Sequence, residues 1–334
     1  MSSRVLFLGG TGIISSACVA DALGSDWEVS VLNRGTTSTR PVPDGVERIV
    51  ADVRDADAVR AATKGRDFDV VADFLSFTPE HVRTAVDAFR DRTGQHLFIS
   101  SASAYQTPPS HLPVTEDTPL DNPFWEYSRN KIACEELLFA QHAEHGLPVT
   151  VVRPSHTYDR TSIPLDGGWT VLERMRTGRP VVVPGDGSSL WTLTHARDFA
   201  VAFTGLLGKP AAIGEAFHIT SDEALTWNEI FRTLGRAAGV EPELVHVASD
   251  AIAANDPDLG AGLLGDKSNT MIFDNSKVRG LVPWFTARTT FAQGAEEIVA
   301  WHDEDAARRT VDPRLDALFD RLVEAYRPRR LADA

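Results

Sequence analysis

Apolar residues in this chain fall into short blocks punctuated by glycine and proline, and two spacings alternate along it. Val5-Leu6-Phe7-Leu8 is an unbroken apolar run stopped by Gly9 and Gly10. A run this short, closed by glycine, reads as a buried strand, and Ile13 to Leu23 behind it suits a helix. Val29-Ser30-Val31-Leu32, Arg48-Ile49-Val50 and Asp69-Val70-Val71-Ala72 repeat the strand signal, with helical spacers near 56–64 and 79–90. Leu97-Phe98-Ile99 and Val149-Thr150-Val151-Val152 extend the rhythm around a helix predicted over about 127–143. Strands alternating with helices predict an α/β fold with a doubly wound parallel sheet, because each parallel crossover needs a long connection that a helix supplies.

Past residue 155 the rhythm loosens. Ile163-Pro164, Gly167-Gly168 and Pro184-Gly185-Asp186-Gly187 separate shorter elements, as an inserted lobe would. The pattern then returns to the sheet, with an apolar helical stretch over 199–207 and a strand at Phe217-His218-Ile219. The expected division is a sheet domain of 1–155 plus about 192–222, and a smaller lobe of about 156–191 plus 223–334. Thr226 and Glu229 have capping-box spacing, so a helix is expected from 227 to about 238. After Pro313, Leu315, Leu318, Phe319, Leu322, Val323 and Tyr326 recur at helical spacing, which predicts an amphipathic helix packed onto the second lobe.

Composition narrows the function classes. The formal charge of −14 leaves little attraction for phosphate backbones or anionic membranes, so neither nucleic acid nor a membrane is an expected partner. The 2 cysteines, Cys18 and Cys134, lack paired spacing, which argues against a disulfide framework and a cysteine-rich zinc site. No His, Asp or Glu spacing suggests a metal. The first apolar run is too short for a leader or a span, so a cytoplasmic protein is expected.

The chemistry begins at Gly9-Gly10-Thr11-Gly12-Ile13-Ile14-Ser15, between the first strand and its helix. Glycines there permit a tight turn and let backbone N–H groups at a helix N-terminus approach a pyrophosphate. A Rossmann-type dinucleotide site is the expectation, with Gly9, Thr11, Gly12 and Ile13 at the phosphates. Ser15 replaces the third glycine, where a small residue serves packing. The second strand ends in Asn33-Arg34: no carboxylate there repels a 2′-phosphate, yet Asn33 can also hold a ribose hydroxyl, so NAD and NADP both remain open. Asp52 and Val53 fall beside the adenine, although a strand-end Asp is also ordinary loop composition.

Tyr127 and Lys131 are four apart and share a helix face. A neighbouring ammonium favours the phenolate and brings a tyrosine toward useful basicity, which turns an otherwise common surface pair into candidate chemistry. Upstream, in the loop after the fifth strand, stands Ser100-Ser101-Ala102-Ser103-Ala104-Tyr105, at the strand ends where this architecture gathers ligands.

With these motifs, together with Val152-Arg153-Pro154, Pro184-Gly185-Asp186-Gly187 and Phe273-Asp274-Asn275-Ser276-Lys277, the chain resembles the extended short-chain dehydrogenase/reductase family, in its NAD-dependent epimerase/dehydratase branch. Within it the chain is similar to bacterial nucleoside-diphosphate-sugar epimerase-like and chloroplast stem-loop-binding-like proteins, which share Asn-Arg-Gly after the second strand. The resemblance implies that Ser101 orients a substrate hydroxyl, that Tyr127 takes its proton, and that Lys131 lowers the tyrosine pKa and holds the nicotinamide ribose. It also implies that a homodimer forms through the helices near 79–90 and 127–143. The fourth strand ends in Ala72-Asp73-Phe74-Leu75-Ser76 instead of the His-Leu-Ala-Ala type common in sugar epimerases, so with Phe74 as a cofactor-binding candidate the nicotinamide side of the pocket is expected to differ.

Departures from the family pattern qualify the substrate. Trp191 stands where nucleotide-sugar enzymes usually place a diphosphate-gripping Arg, and Arg160 and Arg197 are the nearest basic substitutes. Ala102-Ser103 stands where hexose 4,6-dehydratases carry an acidic pair. Ser103, Glu126, His156 and Trp191 are candidate substrate residues, and Trp125, Trp169 and Trp191 suit pocket lining and core packing equally. The resulting expectation is NAD(P)-dependent oxidation of a secondary hydroxyl on a sugar, nucleotide-sugar or nucleoside-like molecule, followed by epimerisation or dehydration with return of the hydride. Two rivals stand beside it: a plain dehydrogenase or reductase with net redox, and an RNA-binding relative of the fold.

Overall fold

The computed structural model describes residues 3–36 and 39–328. Six strands build most of the central sheet: β1 (Arg4–Leu8), β2 (Glu28–Asn33), β3 (Glu47–Val50), β4 (Val70–Asp73), β5 (His96–Ile99) and β6 (Val149–Pro154). The helices between them are α1 (Ile13–Leu23), α2 (Ala56–Ala62), α3 (Pro79–Phe89) and α4 (Glu126–His145). The strand Glu215–Ile219 completes a seven-stranded sheet in which it pairs with β6, followed across by β5, β4, β1, β2 and β3. Every pairing in it is parallel.

Side chains alternate across the strands, so β1 feeds two cores. Val5 and Phe7 enter the layer beneath α1 and the helix Ala196–Leu206, where Val31, Phe199 and Phe203 also pack. Leu6 and Leu8 enter the opposite layer with Val71, Ile49 and Phe89. The chain runs outward to both edges from between β1 and β4, and in such sheets the crevice at the strand C-termini opens at that point.

A third apolar cluster contains Trp169, Trp191, Trp227, Phe291 and Phe319, and Tyr105 and Val114 also join it. Short strand pairs feed it: Val181–Pro184 with Leu244–Val247, and Leu190–Trp191 with Leu225–Thr226. The Thr226–Glu229 capping box is formed, and the helix Trp227–Ala237 follows. The last helix, Pro313–Tyr326, buries Leu318, Phe319, Leu322 and Val323 against this cluster, as its periodicity predicts. No helix among the described residues is long and apolar enough to cross a membrane.

Candidate active site

β1 leaves the sheet through Gly9 at φ 119° and Gly10 at φ 94°, a backbone that side-chain-bearing residues rarely adopt. A Cβ on Gly10 would stand 2.7 Å from Val31 Cγ1, so the turn also needs glycine for space. α1 then starts with no acidic residue in its first turn, leaving the positive end of its dipole facing the crevice. Ser15 does more than pack there: its hydroxyl accepts the Gly12 N–H at 2.9 Å and fixes the helix start.

A cavity of about 580 Å³ runs from this turn along the strand C-termini. Gly9, Thr11, Gly12, Asn33, Arg34, Asp52, Val53 and Phe74 line it. Asn33 is already committed, its amide donating to Gly9 O at 3.0 Å and accepting from Gly35 N at 2.9 Å, so it staples the ends of β1 and β2 together. Arg34 is exposed at the rim. Phe74 stacks on Phe7, with ring centroids 5.9 Å apart, and forms an apolar wall. Ile13 lines a second cavity of about 440 Å³ instead, together with Arg160 and Arg197. Neither arginine therefore lines the main cavity, where Lys267 is the cation near Trp191.

The same cavity reaches Ser101, Ser103, Tyr127 and Lys131. The Tyr127 phenol faces Ser101, whose hydroxyl acts on it, Ser101 Oγ lies 2.9 Å from Ser103 Oγ, and Ser128 Oγ donates to Ser103 Oγ at 2.8 Å. Three serine hydroxyls thus form a chain from beside the phenol into the protein. Lys131 Nζ is buried, donating to Ser76 O at 2.8 Å and Ile99 O at 2.7 Å, which leaves one of its three donors.

Burial pushes the Tyr127 phenol up to about 12, the Ser101 hydroxyl opposing it and the Asp266 charge adding to it. Lys131 is not among the groups acting on that phenol, and burial drives its own pKa down to about 8. Both groups lose water when the helix seats them, and the ammonium turns to two carbonyls, its Nζ lying 5.9 Å from the tyrosine ring centre.

α4 is anchored from behind by a buried ion pair. Arg153 of the Val-Arg-Pro motif meets Glu135 at 2.6 Å, and Glu135 also accepts the hydroxyl of Ser100, the neighbour of Ser101. Asn122 performs the same task in front. Its Nδ2 donates to Ser103 O at 2.8 Å and to Gly265 O, while its Oδ1 accepts from Trp125 N at 3.2 Å where α4 begins.

At the far end Trp191 is buried yet borders the cavity, stacked on Trp227 with ring centroids 5.6 Å apart. Its indole N–H donates to His156 Nδ1 at 3.3 Å. Burial, reinforced by the Lys267 charge, pushes His156 down to about 3, so the imidazole is neutral. Trp125 also borders the cavity, whereas Trp169 stacks on His302 in the core. Glu126 is exposed and does not line the cavity. The sequence reading missed Asp266, Lys267, Met271 and Phe273 as lining residues. Their signal was a Gly-Asp-Lys step in a stretch without apolar periodicity.

The model of the NAD dependent epimerase/dehydratase family matches residues 5–220. Among curated relatives, the chain is 27% identical over 256 residues to the chloroplast stem-loop binding protein of 41 kDa b of Arabidopsis thaliana, covering 73% of this chain and 65% of that protein. It thus spans slightly less than two thirds of that relative's length. It is 28% identical over 293 residues to the 2′-dehydrokanamycin reductase of Streptomyces kanamyceticus, covering 85% and 80% of the two chains. Among solved structures, an epimerase from Methanothermobacter thermautotrophicus superposes with a TM-score of 0.75 at 18% identity, over 92% of this chain and 94% of the other. That likeness concerns the fold.

Proposed function

We propose, since this chain belongs to the NAD dependent epimerase/dehydratase family, that it oxidises a secondary hydroxyl of a sugar- or nucleoside-like substrate, rearranges the ketone, and returns the hydride. The observation that carries this reading is the continuity of one cavity, from the glycine turn through Ser101 and Tyr127 to Trp191 and Asp266. The glycine turn, the α1 N-terminus and the free donor of Lys131 fit a nicotinamide dinucleotide, with the phosphates at Thr11 and Gly12 and the ribose at Tyr127 and Lys131. When bound, that group supplies the hydride acceptor and, in its oxidised form, a positive charge that the buried phenol lacks. Ser101 and Tyr127 hold the substrate oxygen, and the hydroxyl chain through Ser103 and Ser128 lets the proton taken by Tyr127 be shared.

The substrate is not gripped by a diphosphate in this reading. Clamping a diphosphate takes several converging charged donors, each contributing about 1.5–3 kcal/mol. At the Trp191 end the cavity offers Lys267, with Asp266 beside it. Trp191 instead brings aromatic surface to the cavity, suited to a sugar face or a base. The expected result is weak binding of uridine and thymidine diphosphates by calorimetry. Micromolar binding that disappears in Lys267→Met would overturn it.

A second reading, reduction or oxidation with net turnover of the cofactor, is favoured by Ala102-Ser103 in place of an acidic pair and by the likeness to a reductase. Turnover separates the two. The cofactor-loaded protein is given UDP-glucose, dTDP-glucose and 2′-dehydrokanamycin, with the nicotinamide absorbance followed beside product analysis. Conversion without net absorbance change supports internal redox, and stoichiometric change supports the reductase. The active species is proposed to be a homodimer through α3 and α4, the latter leaving Ile132, Ala133 and Phe139 partly exposed. A monomer by light scattering at micromolar concentration would contradict that.

A further inference from the structure

When the transient ketone is followed by epimerisation at the neighbouring carbon or by loss of water, that carbon needs a base, and the acidic pair that would serve dehydration is absent from the serine loop. Among the described residues, two carboxyls line the main cavity, Asp52 and Asp266. Asp52 belongs to the end past β3, beside Val53 and Arg54, and its Oδ1 accepts Arg54 N at 3.0 Å. Asp266 belongs to the other end, with Trp125, Tyr127 and Lys267.

The backbone carrying Asp266 is unusual. Residues Leu263–Lys267 form a π-helical turn directly after the helix Pro257–Gly262, a distortion that often marks functional positions. Gly265 lets this turn press against the start of α4, since a Cβ there would stand 2.8 Å from Trp125 Cβ and 3.0 Å from Asn122 Oδ1. The turn is tied down on both sides, with Asn122 and Thr107 donating to Gly265 O and Trp227 Nε1 donating to Lys267 O at 3.0 Å. Yet the Asp266 carboxylate has no hydrogen-bond or ion-pair partner among the described residues. A fixed frame around an uncommitted carboxyl, facing a cavity beside a phenol, is the arrangement expected of a group that works on a ligand.

The other cavity groups are committed or unsuited. The His156 lone pair at Nδ1 accepts the Trp191 N–H, the Ser103 hydroxyl belongs to the chain behind Tyr127, and Lys131 is bonded to two carbonyls. We propose that Asp266 is a catalytic base in this enzyme, removing the proton from the carbon adjacent to the substrate ketone. The inference rests on the proposed function. In the step, the C–H bond breaks and its electron pair moves to the carbonyl oxygen, which becomes an enolate held by the Tyr127 and Ser101 hydroxyls. The proton forms an O–H bond on Asp266, and its return restores the ketone. Burial also raises Asp266 to about 7, which suits proton uptake and release near neutrality.

The test uses 2′-dehydrokanamycin in deuterium oxide. With oxidised cofactor bound the ketone cannot be reduced, and exchange of its adjacent hydrogens is followed by proton NMR. With reduced cofactor, the rate of ketone reduction is measured in parallel. Asp266→Asn is expected to lower the ratio of exchange to reduction by about 10²-fold, the scale of a lost acid/base group. Asp266→Glu should restore part of it, and exchange by the wild-type protein should rise with pH through a midpoint near 7. Tyr127→Phe should lower both rates together. An unchanged ratio in Asp266→Asn would overturn the assignment, as would wild-type reduction without exchange, which leaves hydride transfer standing. Absence of both activities in the wild-type protein, together with no conversion of UDP-glucose or dTDP-glucose, would remove the proposed function and the base with it.

Discussion

Removing the Glu135 carboxylate should destabilise the protein more than any change on its surface. The Glu135 and Arg153 side chains are 1% and 5% exposed. Arg153 Nε donates to the two carboxylate oxygens at 3.1 and 3.2 Å, and its Nη2 donates at 2.6 Å. In Glu135→Ala the guanidinium keeps a 3.3 Å bond to Glu116 O and the face of Tyr105, 4.9 Å from its ring centre. Leaving one partner of a buried pair uncompensated costs about 3–5 kcal/mol, a large share of the roughly 5–15 kcal/mol that holds a domain together. Arg153→Met should cost a similar amount, because it strands the carboxylate. The double variant Glu135→Leu/Arg153→Met should lie within about 2 kcal/mol of wild type, since apolar replacement avoids the desolvation of both ions. Urea unfolding of the cofactor-free protein, followed by tryptophan fluorescence, measures all four species. A single variant within about 1 kcal/mol of wild type, or a double variant costing the sum of the singles, would refute the reasoning.

Tyr127→Phe should keep the fold and cofactor affinity while lowering turnover by about 10²-fold or more, and wild-type turnover would remove the phenol from the mechanism. Lys131 makes a pH signature: its folded pKa of about 8 lies below the ordinary 10.5, so the folded state binds fewer protons between those values and stability rises across that window. Below about pH 8 the full cost of roughly 3 kcal/mol is present, and Lys131→Met should be more stable than wild type there, with a flatter profile by urea titration. Arg34→Ala should weaken NADP binding relative to NAD by about tenfold or more, the worth of one charged phosphate contact. Equal losses for both cofactors in a fluorescence titration would deny Arg34 that role.

The sheet was legible because its strands are short apolar blocks between glycine turns, and the strand and helix spans agree with the sequence reading to within a few residues. Burial on both faces makes such strands uniformly apolar, a signal read from composition alone. Tyr127 and Lys131 were equally legible as a pair, since one helix face carries both, whereas Ser101 was singled out within its serine-rich loop by the family resemblance. Asp266 and Lys267 were not legible, because their place depends on a π turn pressed against Trp125, a long-range contact without periodicity. The committed amide of Asn33 was hidden for a similar reason, since it donates to Gly9, 24 residues away at the end of the neighbouring strand. The depressed Lys131 follows from burial depth, which the four-residue spacing does not encode.

The edge strand Glu215–Ile219 is separated from β6 by the short strands, helices and loops of 155–214. During synthesis, therefore, the nucleotide-binding sheet cannot close when β6 leaves the ribosome. Until residue 219 emerges, β6 presents an unpaired apolar edge, although every one of its residues is buried in the finished protein. The helix Ala196–Leu206, which covers Phe7 and α1, arrives equally late. Chains that stop between about 155 and 214 should consequently collect in aggregates or on chaperones, while chains reaching 219 should gain protease resistance in the first 155 residues. The order of the chain thus couples completion of the cofactor cradle to prior synthesis of the lobe segment that carries Trp191.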